Sequence, residues 1–243
     1  MSFADIHIHA LWGVDDGPET EEEMYAMLDA AWADGVRTMC LTPHFHPGYF
    51  GDNGERAEQA FRQLERYAAG KYPMLRLYPG NELRYADQCL TWLAEGRCRT
   101  LGGGSYVLVD FDEGEPERNI VKGLERLMSA GYRPVLAHGE RYRALTRGTV
   151  RALRRGGVLI QIDVGSLFGE YGFGAKLRCG RLLRARLADI AATDAHDARR
   201  RSPVMSRGYR AVEKKYGSAY ADALFEKNSL RLLEGDSQEG NEP

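Results

Sequence analysis

The sequence predicts an α/β domain in which parallel strands alternate with helical crossovers, and two observations carry this. Short apolar runs alternate with amphipathic stretches about seven times along the 243 residues, the trace that parallel strands with crossovers leave in a chain. Histidines and several acids also fall where the apolar runs end, which in a barrel is the active face. A closed barrel and an open doubly wound sheet both satisfy the alternation. The barrel has the advantage that loops after all its strands meet at one mouth. No repeat and no linker splits the chain, so residues 1–235 are expected to form one domain, followed by a frayed polar tail over 236–243.

Taken in order, Phe3 to Ile8 reads as the first strand. Pro18 to Asp34 reads as a helix, with proline tolerated in the first turn and Glu19, Glu21, Glu22 and Glu23 at the positive end of the dipole. Met24, Met27, Leu28 and Ala31 supply its buried stripe. Val36 to Thr42 is a strand, followed by a loop rich in aromatics (Phe45, Tyr49, Phe50) and then a helix over Asp52–Ala69. Leu75–Tyr78 is a strand, Ala86–Ala94 a short helix, Tyr106–Phe111 a strand, and Asn119–Ala130 a helix. Arg133–Ala137 and Val158–Asp163 are strands around a basic helix over Ala144–Arg155. Ala175–Ala185 is helical, Ala188–Ala192 is the last strand, and Val204–Tyr216 and Ala219–Lys227 close the chain as helices.

Composition narrows the function. With 43% hydrophobic and 28% charged residues and a net charge of −2, the chain has an ordinary soluble profile and no general affinity for nucleic acid. Cys40, Cys89, Cys98 and Cys179 form no Cys-x-x-Cys pair, which fits reduced thiols. No apolar run approaches the roughly 18 residues that a membrane span needs, and no basic-then-apolar leader opens the chain, so a cytoplasmic enzyme is expected.

The candidate site starts at Asp5-Ile6-His7-Ile8-His9. Histidines at i and i+2 of a strand share a face and make a pincer for a divalent metal. Taken alone, the motif is read more economically as two solvated histidines on an edge strand. The other histidines overturn that. His44, His138 and His196 also stand at strand ends, His46 lies two residues beyond one, and Glu82, Asp110 and Asp194 stand at strand ends too. A mixed imidazole and carboxylate set suits Zn, Mn or Fe rather than Ca or Mg. With Asp16 from the loop Asp15-Asp16-Gly17, the ligands are too many for one ion, and two or three ions sharing carboxylates would use them. Sites of that kind suit phosphate-ester hydrolysis. The Cys-x5-Arg signature of thiol phosphatases is absent.

In order along the chain, Asp5-Ile6-His7-Ile8-His9, Thr42-Pro43-His44, Gly80-Asn81-Glu82, Ala137-His138 and Asp194-Ala195-His196 resemble the motifs of the polymerase and histidinol phosphatase (PHP) superfamily. Gly13-Val14-Asp15-Asp16-Gly17-Pro18, His138-Gly139-Glu140-Arg141-Tyr142, and Gln161 with Gly165-Ser166-Leu167-Phe168-Gly169 narrow the resemblance to the bacterial CpsB/YwqE-type protein tyrosine phosphatases. The resemblance implies a distorted seven-stranded (β/α) barrel, TIM-like, with three divalent ions, Mn or Fe ahead of Zn. It implies that His7, His9, Glu82 and Asp194 hold one ion, that Glu82 bridges to a second held by Asp110 and His138, and that Asp16, His44 and His196 take the third. Arg141 and Arg201 would hold phosphoryl oxygens, and His46 or Asp197 would be the general acid if one is used. Three positions depart from the pattern: Asp110 replaces Glu, Gly139 replaces Pro, and Asp197 replaces Asn. The substrate the resemblance implies is a phosphotyrosine-containing protein, the tyrosine-rich tail of a bacterial autokinase in capsule or exopolysaccharide control. Two other readings stand beside it: a different PHP phosphoesterase (histidinol-phosphate phosphatase or 3′–5′ exonuclease), and a catalytically weak regulatory partner of the kinase.

Overall fold

The computed structural model describes residues 2–235; the tail expected to fray lies outside them. The strands are β1 (Phe3–Ile8), β2 (Val36–Leu41), β3 (His44–Phe45), β4 (Arg76–Pro79), β5 (Glu82–Arg84), β6 (Tyr106–Asp110), β7 (Arg133–Leu136), β8 (Leu159–Asp163) and β9 (Ile190–Ala192). The helices are α1 (Glu21–Asp34), α2 (Pro47–Phe50), α3 (Gly54–Lys71), α4 (Cys89–Ala94), α5 (Glu117–Ser129), α6 (Arg147–Arg155), α7 (Val164–Phe168), α8 (Gly172–Arg184), α9 (Ser206–Tyr216), α10 (Ser218–Asp222) and α11 (Asn228–Glu234).

All strand pairs are parallel, in the orders β1-β2-β4 and β3-β5-β6-β7-β8-β9. The two orders join because β2/β3 and β4/β5 are each one strand broken in the middle. Thr42-Pro43 interrupts the first and Gly80-Asn81 the second, and the Glu82 N–H donating to the Pro43 carbonyl at 3.1 Å carries the pairing across the gap. The sheet thus curls through seven strand positions. Its ends meet where Ile8 bridges Ala195, with the His9 N–H on the Ala195 carbonyl (2.9 Å) and the Asp194 N–H on the His7 carbonyl (2.8 Å). Pairing at this seam is thin, and the segment 223–227 packs over it from outside, with Phe225 against Phe3.

Two apolar layers hold the sheet. Ile6, Cys40, Leu108, Val135 and Ile190 fill the inside, plugged from below by Leu232 and Leu233 of α11. Met24, Met27, Leu28, Val107, Val109, Ile160 and Ile162 belong to the outer layer between strands and helices. Burying each such side chain is worth about 1.5–3 kcal/mol. In β1, Asp5 pairs with Met39 and Ile8 with Leu41, so one extra residue is accommodated. That bulge lets Ile6 join the inner layer while Ile8 joins the outer one.

Several boundaries differ from expectation for local reasons. The first helix begins at Glu21 rather than Pro18, because Thr20 is the N-cap: its hydroxyl accepts from the Glu23 N–H, while the Glu23 carboxylate reaches back to the Glu19 N–H at 2.8 Å. This resembles a capping box, with the return bond made one residue before the N-cap. The first turn of α9 is capped from a distance, since Asp34 accepts from the N–H groups of Met205 and Ser206. The four cysteines are free and buried, and among the described residues no helix is long and apolar enough to cross a membrane.

Candidate metal centre

Strand ends deliver the imidazoles and acids to one mouth. His7 and His9 leave the end of β1, His44 opens β3, Glu82 opens β5, Asp110 ends β6, and His138 and Asp194 follow β7 and β9. They assemble into three groups with ligand atoms within 4.8 Å of one another: His7, His9 and Asp194; Glu82, Asp110 and His138; and His9, Asp16, His44 and His196. Glu82 ties the groups together, lying 3.3 Å from His7, 3.4 Å from His9, 2.7 Å from His44 and 3.0 Å from His138. His138 and Asp194 have positive φ angles of 34° and 51°. Left-handed backbone is costly for non-glycine residues and collects at functional sites.

The rings are aimed by partners behind them. Gln161 Oε1 lies 3.1 Å from His7 Nδ1 and also accepts the His138 N–H, while its amide nitrogen donates to Asp163. Gln161 therefore fixes His7 as the Nδ1–H tautomer. Asp15 does the same for His9, at 2.7 Å from Nδ1, and also accepts the N–H groups of His44 and Gly17. The Asp194 carbonyl takes His196 Nδ1 at 3.0 Å. The Nε2 atoms of all three rings are left facing inward, and those of His7 and His9 stand 3.2 Å apart. Two buried lone pairs at that distance repel unless a cation or proton lies between them. The donor set therefore fits divalent ions, oriented as metal-binding histidines are.

Electrostatics agree. Burial works against ionising Glu82 and Asp194, yet the imidazoles around both, and Arg141 and Arg201 beside Asp194, hold them well below the usual carboxylate range. Burial likewise works against charging His9, but Asp15, Asp194 and Glu82 keep its pKa well above the usual value. Asp110 goes the other way: burial raises its pKa and so does Glu82, against the pull of His138 and Arg84. Tyr142 donates to it at 3.0 Å and Arg84 pairs with it at 3.1 Å.

Asp194 faces two ways. One oxygen turns to His7 and His9, both at 3.4 Å, and the other receives Arg141 at 2.5 Å and Arg201 at 2.9 Å. Arg141 also pairs with Asp163 at 2.6 Å and stacks on Tyr171 at 3.6 Å. Asp16 sits at the open edge, 3.2 Å from His196 and half exposed.

The two acid candidates are outside the cluster. His46 stands at the N-cap position of the short α2 without a side-chain capping bond and stacks on Tyr49 at the rim, its pKa lowered by burial, Arg84 and His44. Asp197 accepts the N–H groups of Arg199, Arg200 and Arg201; these bonds outweigh its partial burial and keep its pKa low. This geometry fits a loop-capping carboxylate better than a proton donor. Phe45 is buried against Trp92, whereas Phe50 stacks on His44 and Tyr49 is 76% exposed. Only the last two can face a substrate. Sequence reasoning passed over Asp15 in favour of its neighbour and gave no role to Gln161, Asp163, Arg84 or Tyr171. The inward-facing polar residues of β8, Gln161 and Asp163, were the available signal.

Residues 3–234 match the family described as capsular polysaccharide synthesis, CpsB/CapC. The chain belongs to the CpsB/CapC family. Among its relatives, the tyrosine-protein phosphatase CpsB of Streptococcus pneumoniae is 33% identical over 236 residues, 94% of this chain and 97% of the relative. The tyrosine-protein phosphatase YwqE of Bacillus subtilis is 30% identical, covering 94% of this chain and 91% of its own length. A solved structure from work on YwqE and CpsB, described as unique metal-dependent tyrosine phosphatases, superposes with a TM-score of 0.86 at 30% identity, covering 96% of this chain and 94% of that one. A phosphotriesterase from Mycobacterium tuberculosis shares the fold at a TM-score of 0.57 and 12% identity. The expected TIM-like α/β architecture and the CpsB/YwqE resemblance are thereby borne out.

Proposed function

We propose that this CpsB/CapC member is a metal-dependent phosphomonoesterase that hydrolyses phosphotyrosine in protein, acting in the cytoplasm on the tyrosine-rich tail of a bacterial autokinase in capsule control. The observation that carries the reaction class is the pair of facing Nε2 atoms of His7 and His9, framed by Glu82 and Asp194, with Arg141 and Arg201 on the far oxygen of Asp194. His7, His9, Glu82 and Asp194 would hold the first of three ions, Glu82, Asp110 and His138 the second, and Asp16, His44 and His196 the third; the donor set admits Zn, Mn or Fe, and the family resemblance favours Mn or Fe. Divalent ions bound there would supply Lewis-acid activation of water and offset phosphoryl charge.

The chain's own contributions follow from position. Asp194 fixes the two guanidiniums beside the metal groups, and their remaining N–H donors suit two-pronged capture of phosphoryl oxygens. A tyrosine phenol, with pKa near 10, leaves without much help. Of the two acid candidates, Asp197 is committed to its loop and His46 at the rim has a lowered pKa, so neither is a strong proton donor and the phenolate leaves largely unassisted. The shorter Asp110 keeps its place through Tyr142 and Arg84.

Parallel assays with added Mn(II) on phosphotyrosyl peptide, histidinol phosphate and single-stranded DNA test this. Phosphotyrosyl turnover is expected to dominate. A strong preference for either other substrate overturns the substrate class. Equal rates in the wild type and an Asp194→Ala, His196→Ala double variant would support a non-enzymatic partner of the kinase.

A further inference from the structure

Charge is distributed very unevenly over this molecule. Between Arg141 and Arg186 the chain carries eleven basic and two acidic residues, although its overall charge is −2. Neither acid relieves the excess: Asp163 is buried on Arg141, and Glu170 faces Arg207. Arg143, Arg147, Arg151, Lys176, Arg181 and Arg184 are exposed, and none is in an ion pair with a described residue. These residues lie on α6, on α8 and on the loop after His138.

The same face has a groove. A cavity of about 340 Å³ runs between α6 and α8, floored by Leu145, Val150 and Leu182, with Arg143, Arg147 and Arg181 along its edges. Leu177 and Phe173, four residues apart on α8, are 44% and 75% exposed beside it. The groove is tied to the candidate site through the segment that follows His138. Gly139 and Tyr142 line its upper end. Arg178, also in its lining, donates to the carbonyls of Glu140 (2.6 Å) and Arg141 (3.2 Å), the main chain that carries the proposed phosphoryl-binding guanidinium.

We infer that this groove docks an acidic polypeptide segment of the phosphoprotein substrate, outside the reaction centre and linked to it by the segment that carries Arg141. The cations are nearly all arginines, whose planar donors match carboxylates two at a time. The apolar floor takes the aliphatic or aromatic residues between the acids. A channel between two helices suits one extended or helical chain, whereas a membrane surface needs a broad flat face. The effect on turnover rests on the phosphatase reading; the binding does not.

The test uses the full chain and a fluorescein-labelled, unphosphorylated peptide rich in Glu and Leu, followed by fluorescence anisotropy. Saturable binding is expected at low salt, weakened strongly by 0.5 M NaCl as screening shortens. The triple variant Arg143→Glu, Arg147→Glu, Arg181→Glu should bind about tenfold or more weakly. Its hydrolysis of p-nitrophenyl phosphate should be unchanged, which also shows that it folds, while its KM for an acidic phosphotyrosyl peptide rises and that for a neutral one does not. Equal peptide binding by wild type and variant, no binding at low salt, or binding to phosphatidylglycerol vesicles without binding to peptide would each overturn the inference. Should peptide binding follow the prediction while no phosphotyrosyl turnover is seen, the docking groove stands and the phosphatase reading fails.

Discussion

The inner and outer edges of the candidate metal centre are built differently. At the inner edge, His7, His9, Glu82 and Asp194 are nearly fully buried, rise from strand ends, and have a partner behind or beside each ring or carboxylate. At the outer edge, Asp16 is half exposed on a loop, His46 stacks on an exposed tyrosine, and Asp197 serves its own backbone. The inner edge is over-determined by the sheet, and the outer edge depends on loop geometry. Preorganised ligands lose little freedom when a cation arrives, so affinity should concentrate inside and adaptability outside.

The largest effect should come from the residue that joins metal and arginines. Asp194→Ala removes a proposed metal ligand, leaves Arg141 to Asp163 alone and takes away the carboxylate that pairs with Arg201. Phosphotyrosyl turnover should fall by about a thousandfold or more, as when charge-stabilising groups are lost, with far-UV circular dichroism unchanged. A fall of less than about tenfold would place the inner edge outside the reaction.

Two adjacent aspartates sharpen the contrast. Asp15→Asn keeps the shape but loses the carboxylate that orients His9. By analogy with other histidines oriented from behind, metal affinity should drop about 10–100-fold. Asp16→Asn, at the open edge, should cost less. Metal titration followed by calorimetry ranks the two, and the reverse order would contradict the assignment of inner and outer roles.

A smaller effect lies just behind the inner edge. Burial, with the Asp163 carboxylate, pushes Glu140 from 4.5 up to about 7. A folded-state pKa above the unfolded one favours the protonated form in the fold, so this stabilising contribution is present below about pH 4.5 and lost as pH rises through 7. The wild-type melting temperature should therefore fall between pH 5 and 8 relative to that of Glu140→Gln, which cannot ionise. Parallel curves for the two would remove Glu140 as the cause.

The smallest effect belongs to the periphery. Thr20→Ala deletes the α1 cap and should cost about 1 kcal/mol of stability. Turnover should be unchanged, because α1 contributes no ligand.

The same contrast explains what could be read from the sequence. A strand end fixes a side chain's direction by its alternation, so His7, His9, Glu82, Asp110 and Asp194 were legible as one rim. The break in β2/β3 and β4/β5 was not, because Thr42-Pro43 and Gly80-Asn81 look like strand ends until the pairing across them is seen. Nor was the division of labour between Asp15 and Asp16, since in the Gly17 turn neighbouring residues point in different directions. Phe45, Tyr49 and Phe50 look alike in the aromatic loop, but Phe45 turns inward because β3 continues the sheet there. Asp197 has the composition of an acid catalyst and the geometry of a turn residue. Composition shows which chemistry a residue could perform, and only its neighbours show which one it is free for.

The central claim is that residues scattered along the chain form one cage for divalent ions. Anomalous diffraction at the manganese edge, on crystals grown with Mn(II), tests it directly. The account predicts peaks between His7, His9 and Asp194, between Glu82, Asp110 and His138, and among Asp16, His44 and His196. A fully loaded crystal with manganese elsewhere, and no peak at the His7–His9 pair, would contradict it.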